Sequence, residues 1–313
     1  MLHLRLITPA DRTDDVVGLI GRTVGTTHLV VLAGAARDPA GDVVLCDVAR
    51  EAADELIGGL RKMGIDRTGS IAVEDIELSL SRSADDAEEE APGEAADAVL
   101  WEQLEDATHE ESTISVTYVA FITLATMIAA CGVVLDNAVL IVGAMAVGPE
   151  FGPLAGVCTA IVQREPRLAL RSLTALLAGF AIAMAVTVLF SLFMDGVDLF
   201  SEAKLEGDRP STAFVYAPDW FSFVVAMLAG AAGMLSLTSA KSGALVGVAI
   251  SVTTVPAAAN AAVALSYGDA GQTWGSSKQL LFNLLGILLA GTLTLLAQKG
   301  FWALQRRREP APA

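Results

Sequence analysis

The chain has 313 residues, of which 53% are hydrophobic and only 18% charged, and its mean hydropathy is +0.56. That composition excludes a purely soluble pair of domains, the more so because almost all of the apolar bias lies after residue 115. The net charge of −16 is local too: residues 85–111 carry 12 acids and no Lys or Arg, whereas residues 112–313 balance 11 against 11. With no basic cluster to neutralise phosphates, the sequence argues against nucleic acid as a partner.

Cys46, Cys131 and Cys158 show no metal or redox spacing, and His3, His28 and His109 are scattered, so no metal site, cofactor or disulfide framework is expected. The start of the chain, MLHLRLITPADRTDD, is too short in apolar run for a secretory signal, which predicts a cytoplasmic N-terminus.

Residues 2–7 alternate Leu2, Leu4 and Leu6 against His3, Arg5 and Ile7, the two-residue period of a half-buried strand. Val16, Val17, Leu19 and Ile20 follow at helical spacing, with acids in the first turn. THLVVLAGA and GDVVLCDVA predict two strands joined by a turn around Pro39. Leu56, Leu60 and Met63 then mark a helical face, and SIAVEDIELSLS predicts a last strand. The order is βαββαβ, a ferredoxin-like α+β domain over residues 1–82. It contains no phosphate loop and no nucleophile–base pair, which leaves a sensing or assembly domain and a packing module without ligand as open alternatives.

Residues 83–112 form an acidic linker. Its first part is expected to be disordered or weakly helical. Its second part places Val99, Leu100, Leu104 and Ala107 near one face of an amphipathic pre-membrane helix, whose acids favour packing on protein over binding to anionic lipid.

Residues 113–305 predict an α-helical integral membrane domain of about six transmembrane helices, near 116–135, 138–163, 168–194, 219–239, 242–267 and 279–304. Each run can cross a hydrocarbon core about 30 Å thick. With the N-terminus inside, eight Lys and Arg flank the cytoplasmic ends against three outside, the sense of the positive-inside rule. A basic, Pro-rich tail, 306–313, also falls inside. The expected location is the cell membrane, inner or plasma, with both termini cytoplasmic.

Sliding the second span onto the fifth by 104 residues places Gly143 on Gly247 and Gly152 on Pro256, and the same shift carries the first span onto the fourth and the third onto the sixth. Three spans per half imply a 3+3 inverted repeat with two broken helices. Gly148, Pro149, Gly152 and Pro153 interrupt one and Pro256 the other. Proline removes a backbone donor and frees carbonyls that lipid cannot satisfy, so irregular backbone at that depth lines a cavity or is buried in protein. Paired breaks of this kind mark binding sites in secondary transporters. Glu150 lies midway along its span, where an ionisable group needs a partner or a proton. It is either a protonation or cation site, or a carboxyl capping the broken helix. Thr253, Thr254, Asn260 and Asn283 are the other mid-depth polar groups, and such residues also serve as interhelical glue.

The strings IVGAMAVGPEFGPLAG, GALVGVAISVTTVPAAAN and LLFNLLGILLAG resemble a prokaryotic membrane family known as domain of unknown function 389, over about residues 112–300. The family commonly carries Pro-Leu-Met-Gly-Pro where this chain has Pro149-Glu150-Phe151-Gly152-Pro153, and often a double proline where it has Pro256-Ala257. Glu150 thus replaces an apolar residue, so a mechanism built on it belongs to a subgroup. The resemblance brings no substrate with it.

The sequence therefore predicts a transporter or channel-like protein for a small solute or ion, regulated by its cytoplasmic domain. The alternative is a membrane-anchored sensor or scaffold. An enzyme is not expected, since no His cluster, paired carboxylates or Ser–base pair stands at membrane depth. The partners expected are the bilayer, a second copy of the chain in a homo-oligomer, and the unidentified solute or ion. A transporter predicts a water-accessible cavity at Glu150 and Pro256; a scaffold predicts both sealed.

Overall fold

The structure, a computed structural model, describes residues 1–76, 78–91, 99–216, 220–239 and 254–308. The chain divides into two compact units, one of residues 1–103 with 238–240, and one of the remainder.

In the first unit, β1 (Leu2–Thr8), β2 (Thr26–Arg37), β3 (Ala40–Val48) and β4 (Ser70–Asp75) form an antiparallel sheet in the order β2-β3-β1-β4. The alternation of β1 is realised: Leu2, Leu4 and Leu6 are buried. They meet Val16 and Ile20 of α1 (Thr13–Arg22) and Leu56 and Leu60 of α2 (Arg50–Lys62) in one core. A short α3 (Ile65–Thr68) leads into β4. The last strand stops at Asp75, well short of the expected 81, because β1 begins at Leu2 and offers no further ladder partner beyond the Ile76 N to Met1 O bond. His3 and His28, remote in sequence, converge on the Asp47 carboxylate through their Nδ1 atoms at 2.6 and 2.7 Å. Among the described residues no group of three or more His, Cys, Asp or Glu side chains is arranged to hold a metal ion, since both imidazoles here spend Nδ1 on the carboxylate itself.

The acidic stretch is more ordered than its composition predicts. Residues Arg82–Glu90 form α4, with Ala84, Ala87 and the following Ala91 buried and the acids turned outward. The pre-membrane helix is present as α5 (Trp101–Glu111), and Val99, Leu100 and Leu104 are buried, as a protein-covered face requires.

The second unit is helical. α6 (Val116–Val134) is capped by Ser115, whose Oγ accepts from the Tyr118 amide at 3.0 Å. α7 (Ala138–Val147) is capped by Asn137, whose Oδ1 accepts from Val139 and Leu140 amides. α8 (Phe151–Gln163) follows, then α9 (Pro166–Gly196), which opens on the proline that tolerates a first helical position. The connection after α9 contains α10 (Glu202–Glu206) and a 3₁₀ turn (Ala213–Val215). α11 (Trp220–Thr238), α12 (Thr254–Tyr267) and α13 (Ala270–Arg308) complete the unit.

Residues 254–264 of α12 are buried without exception, and α6, α7, α9 and α13 surround it. A helix enclosed on all sides needs small side chains, which explains the run Pro256-Ala-Ala-Ala-Asn-Ala-Ala. The surrounding helices turn Leu124, Leu170, Leu177, Leu189, Phe193, Leu285 and Leu293 outward, an apolar exterior suited to lipid. Helix contacts are close: a Cβ at Gly230 of α11 would lie 2.7 Å from the Ile287 backbone of α13, so only glycine fits there.

Among the described residues four helices are long and apolar enough to cross a membrane: α6, α9, α11 and residues Ala270–Trp302 of α13. They become five if α7 and α8, bent by 53° at their junction, count as one span. The count of six rests on residues 242–253, which lie outside the described residues. α12 alone has 14 residues, about 21 Å, short of a bilayer core.

Candidate functional site

The expected break in the second span is real. α7 ends at Val147, α8 begins at Phe151, and Gly148, Pro149 and Glu150 form the corner. Gly152 and Pro153 fall in the first turn of α8, where an absent amide costs no intrahelical bond. Pro256 is buried within α12. Thr253 lies outside the described residues.

The corner meets α12 through a side chain of each. Thr254 Oγ1 donates to Glu150 Oε1 at 2.7 Å, and the residues are 104 apart in sequence. Glu150 is 5% exposed and Thr254 1%. The other carboxylate oxygen, Oε2, is buried without a hydrogen-bond partner. It lies over Gly148, where a Cβ would collide with it and with Val255, so glycine is what lets the carboxylate fold back over the corner. Glu150 makes no side-chain cap bond to α8. The carboxylate instead faces α12 beside the start of α8, whose free amides favour a negative charge there.

Pro256 is buried as well, and among the described residues Glu150, Thr254 and Pro256 are all closed off from solvent. Toward α5, the Glu111 carboxylate rests against Gly152, and the hydroxyls of Ser112 and Ser172, 2.7 Å apart, rest against Gly156. The Tyr118 hydroxyl donates to the Ala175 carbonyl at 3.2 Å.

Asn260 and Asn283, read from the sequence as mid-depth polar groups, are both buried, but they do not touch Glu150. Asn260 Nδ2 donates to Ser276 Oγ at 2.7 Å, and its Oδ1 accepts from Arg209 Nη1 at 3.1 Å. Asn283 Oδ1 accepts from Gln279 Nε2 at 3.4 Å. Arg209, Gln272, Ser276 and Gln279 escape a sequence reading. Arg209 stands in a polar connection that reads as an exposed loop, and the other three lie before or at the start of the run read as the sixth span. Their signal is the spacing of 272, 276, 279 and 283, which places them on one helical face. An apolar groove between α6 and α9, lined by Val116, Val119, Leu124, Ile182 and Val186, suits an acyl chain and no polar solute.

A bundle of apolar helices with one enclosed helix and a buried carboxylate at a helix break is compatible with a polytopic membrane protein. Residues 145–289 are similar to the family described as Domain of unknown function (DUF389), in agreement with the motif strings. Uncharacterized protein MJ0678 of Methanocaldococcus jannaschii is 24% identical over 203 residues, which is 65% of this chain and 61% of that protein. The chain thus spans less than two thirds of that relative's length. No solved structure matches.

Proposed function

We propose that the chain is a membrane transporter or channel-like protein for a small solute or ion, with its site where the two broken helices meet at Glu150 and Thr254. The observation that carries this reading is the bond between those side chains, which ties one helix break to the other through two buried polar groups. The helix starts support an inverted repeat: α9 and α13 begin at 166 and 270, the same 104-residue interval that separates Glu150 from Thr254. Three crossings per half set the halves in opposite senses, and α8 and α12 then run from the middle toward opposite faces. Glu150 Oε2, buried and unpartnered, is the atom available to a proton or a ligand. The closed site corresponds to the occluded state of an alternating-access cycle, and the first unit regulates it from the cytoplasmic side.

The purified protein in liposomes tests this, with internal pH and ion flux followed under imposed gradients for wild type and Glu150→Gln. Flux in the wild type that the substitution abolishes is the expected result. Flux that survives would keep transport and remove Glu150 from it. No flux under proton, sodium, potassium or chloride gradients would favour the second reading, a membrane-anchored sensor or scaffold. That reading draws on the sealing of Glu150, Thr254 and Pro256 inside packed helices.

A further inference from the structure

The most unusual charge in the second unit belongs to Arg209, in the connection between α9 and α11. It is 3% exposed, yet among the described residues no carboxylate forms an ion pair with it. Neutral oxygens hold it instead: Nη1 donates to Asn260 Oδ1 at 3.1 Å and Nη2 to Gln272 Oε1 at 2.6 Å, while the guanidinium carbon sits 4.8 Å from the centre of the Tyr216 ring. Nε is buried with no partner. The acids whose field it feels, Asp136 and Asp269, are both partly exposed. They accept from other groups: Asp136 from the Ser211 amide and the Thr212 hydroxyl, Asp269 from the Gln272 amide.

A polar row leads inward from this guanidinium. Gln272, Ser276, Gln279 and Asn283 share one face of α13, and the last three are at most 1% exposed. α12 and α13 form an antiparallel hairpin about Gly268 and Asp269, and the Asn260–Ser276 bond fixes its register. Thr254, six residues and about 9 Å further from the turn, therefore stands at the level of Phe282 and Asn283. The row thus spans the depth between Arg209 and the Glu150–Thr254 pair. Interhelical glue would have every polar atom satisfied. Here Arg209 Nε and Gln279 Oε1 are both orphaned, and an orphaned buried group is costly unless something fills its place.

We infer that this row is the route between the α9–α11 face of the protein and the Glu150–Thr254 site, and that Arg209 at its mouth admits small anions and rejects cations. The inference rests on the transporter reading for its purpose, though not for its test. A buried guanidinium is the group best suited to an anion, and a cation would pass it unscreened by water. Charge balance at the inner end is met when Glu150 carries its proton while an anion lies beside it, which makes the anion and the proton joint cargo.

Thiol accessibility tests the route. In the full chain with Cys46, Cys131 and Cys158 replaced by Ala, Ser276→Cys places a thiol inside the row, and Ser211→Cys provides an exposed control. Modification is timed in detergent with two methanethiosulfonates of similar size, an anionic ethylsulfonate and a cationic ethyltrimethylammonium. The anionic reagent is expected to modify the Ser276→Cys protein roughly tenfold faster or more, relative to the control. Arg209→Gln should erase that preference, and Arg209→Lys, which keeps the charge, should retain much of it. If the Ser211→Cys control reacts and the Ser276→Cys protein resists both reagents, there is no route. Faster reaction with the cation would overturn the assigned charge. Selective labelling in a protein that shows no flux would keep the route and sink transport, whereas flux without labelling would do the reverse.

Discussion

At Glu150 the chain places a carboxyl among packed helices, and Thr254 is what makes its burial tolerable. The threonine hydroxyl satisfies one oxygen of a group that is 95% buried, while the other is left bare. Removing one member of such a pair exposes the full desolvation penalty of the other, whereas removing both can be neutral. Thr254→Val should therefore destabilise the protein by about 1–3 kcal/mol. Glu150→Leu also removes the bare oxygen and should cost less, and the double variant should cost less than the two single changes added together. Thermal unfolding of the four proteins in one detergent measures the coupling. Strict additivity would mean that the 2.7 Å bond contributes nothing, and the site would then have to be sought elsewhere.

Elements are joined by single side chains in the first unit as well. Asp42 on β3 accepts from the Gly34 amide in the bulged part of β2 at 2.7 Å and from Thr13 Oγ1 at the start of α1 at 2.7 Å. The Gly34 bond first and the Thr13 bond second hold its pKa below the ordinary carboxylate value. A lowered folded pKa stabilises the fold above the unfolded value of about 3.9, and that stabilisation is lost as pH falls through the folded value. Cys46 provides a local reporter, since it is fully buried and its thiol is pushed up to about 12 by burial and by Asp47. Its labelling by dithiodipyridine should accelerate as pH drops from 5 to 3 in the wild type, and Asp42→Asn should be fast and flat across that range. These strands and helices were legible in the sequence because two-residue and 3.6-residue periods survive wherever one face is buried. The ordering of α4 was not, since its acids dominate the composition while Ala84 and Ala87 do the packing. In the second unit the corner at Pro149 was legible from proline chemistry. The partnership of Glu150 with Thr254 was visible only as a 104-residue interval. Arg209 was hidden, because burial of a loop cation depends on where helices 50 residues further along happen to stand.

For the whole molecule, the parity of crossings decides between the readings. Among the described residues α6, α7 with α8, α9, α11 and α13 are long and apolar enough for five spans, and five would put the two ends of the chain on opposite sides of the membrane. Six puts them on the same side, which requires residues 242–253 to complete a span with α12. The charges favour six: Arg164, Arg167, Arg171, Lys241, Lys299 and the Arg306–Arg308 cluster then share one face, and Lys204, Arg209 and Lys278 the other. An inverted repeat also needs six, because only an odd number of crossings per half turns the second half over. Single cysteines at Ser83 and at Ala311, in the cysteine-free background and in right-side-out vesicles, should therefore both be protected from an impermeant maleimide until the membrane is opened, while one at Ser211 labels at once. Opposite behaviour of the two ends would leave α12 as a re-entrant segment. The halves would then no longer match, and the meeting of Glu150 with Thr254 would be a contact between unlike elements, with no alternating-access symmetry behind it.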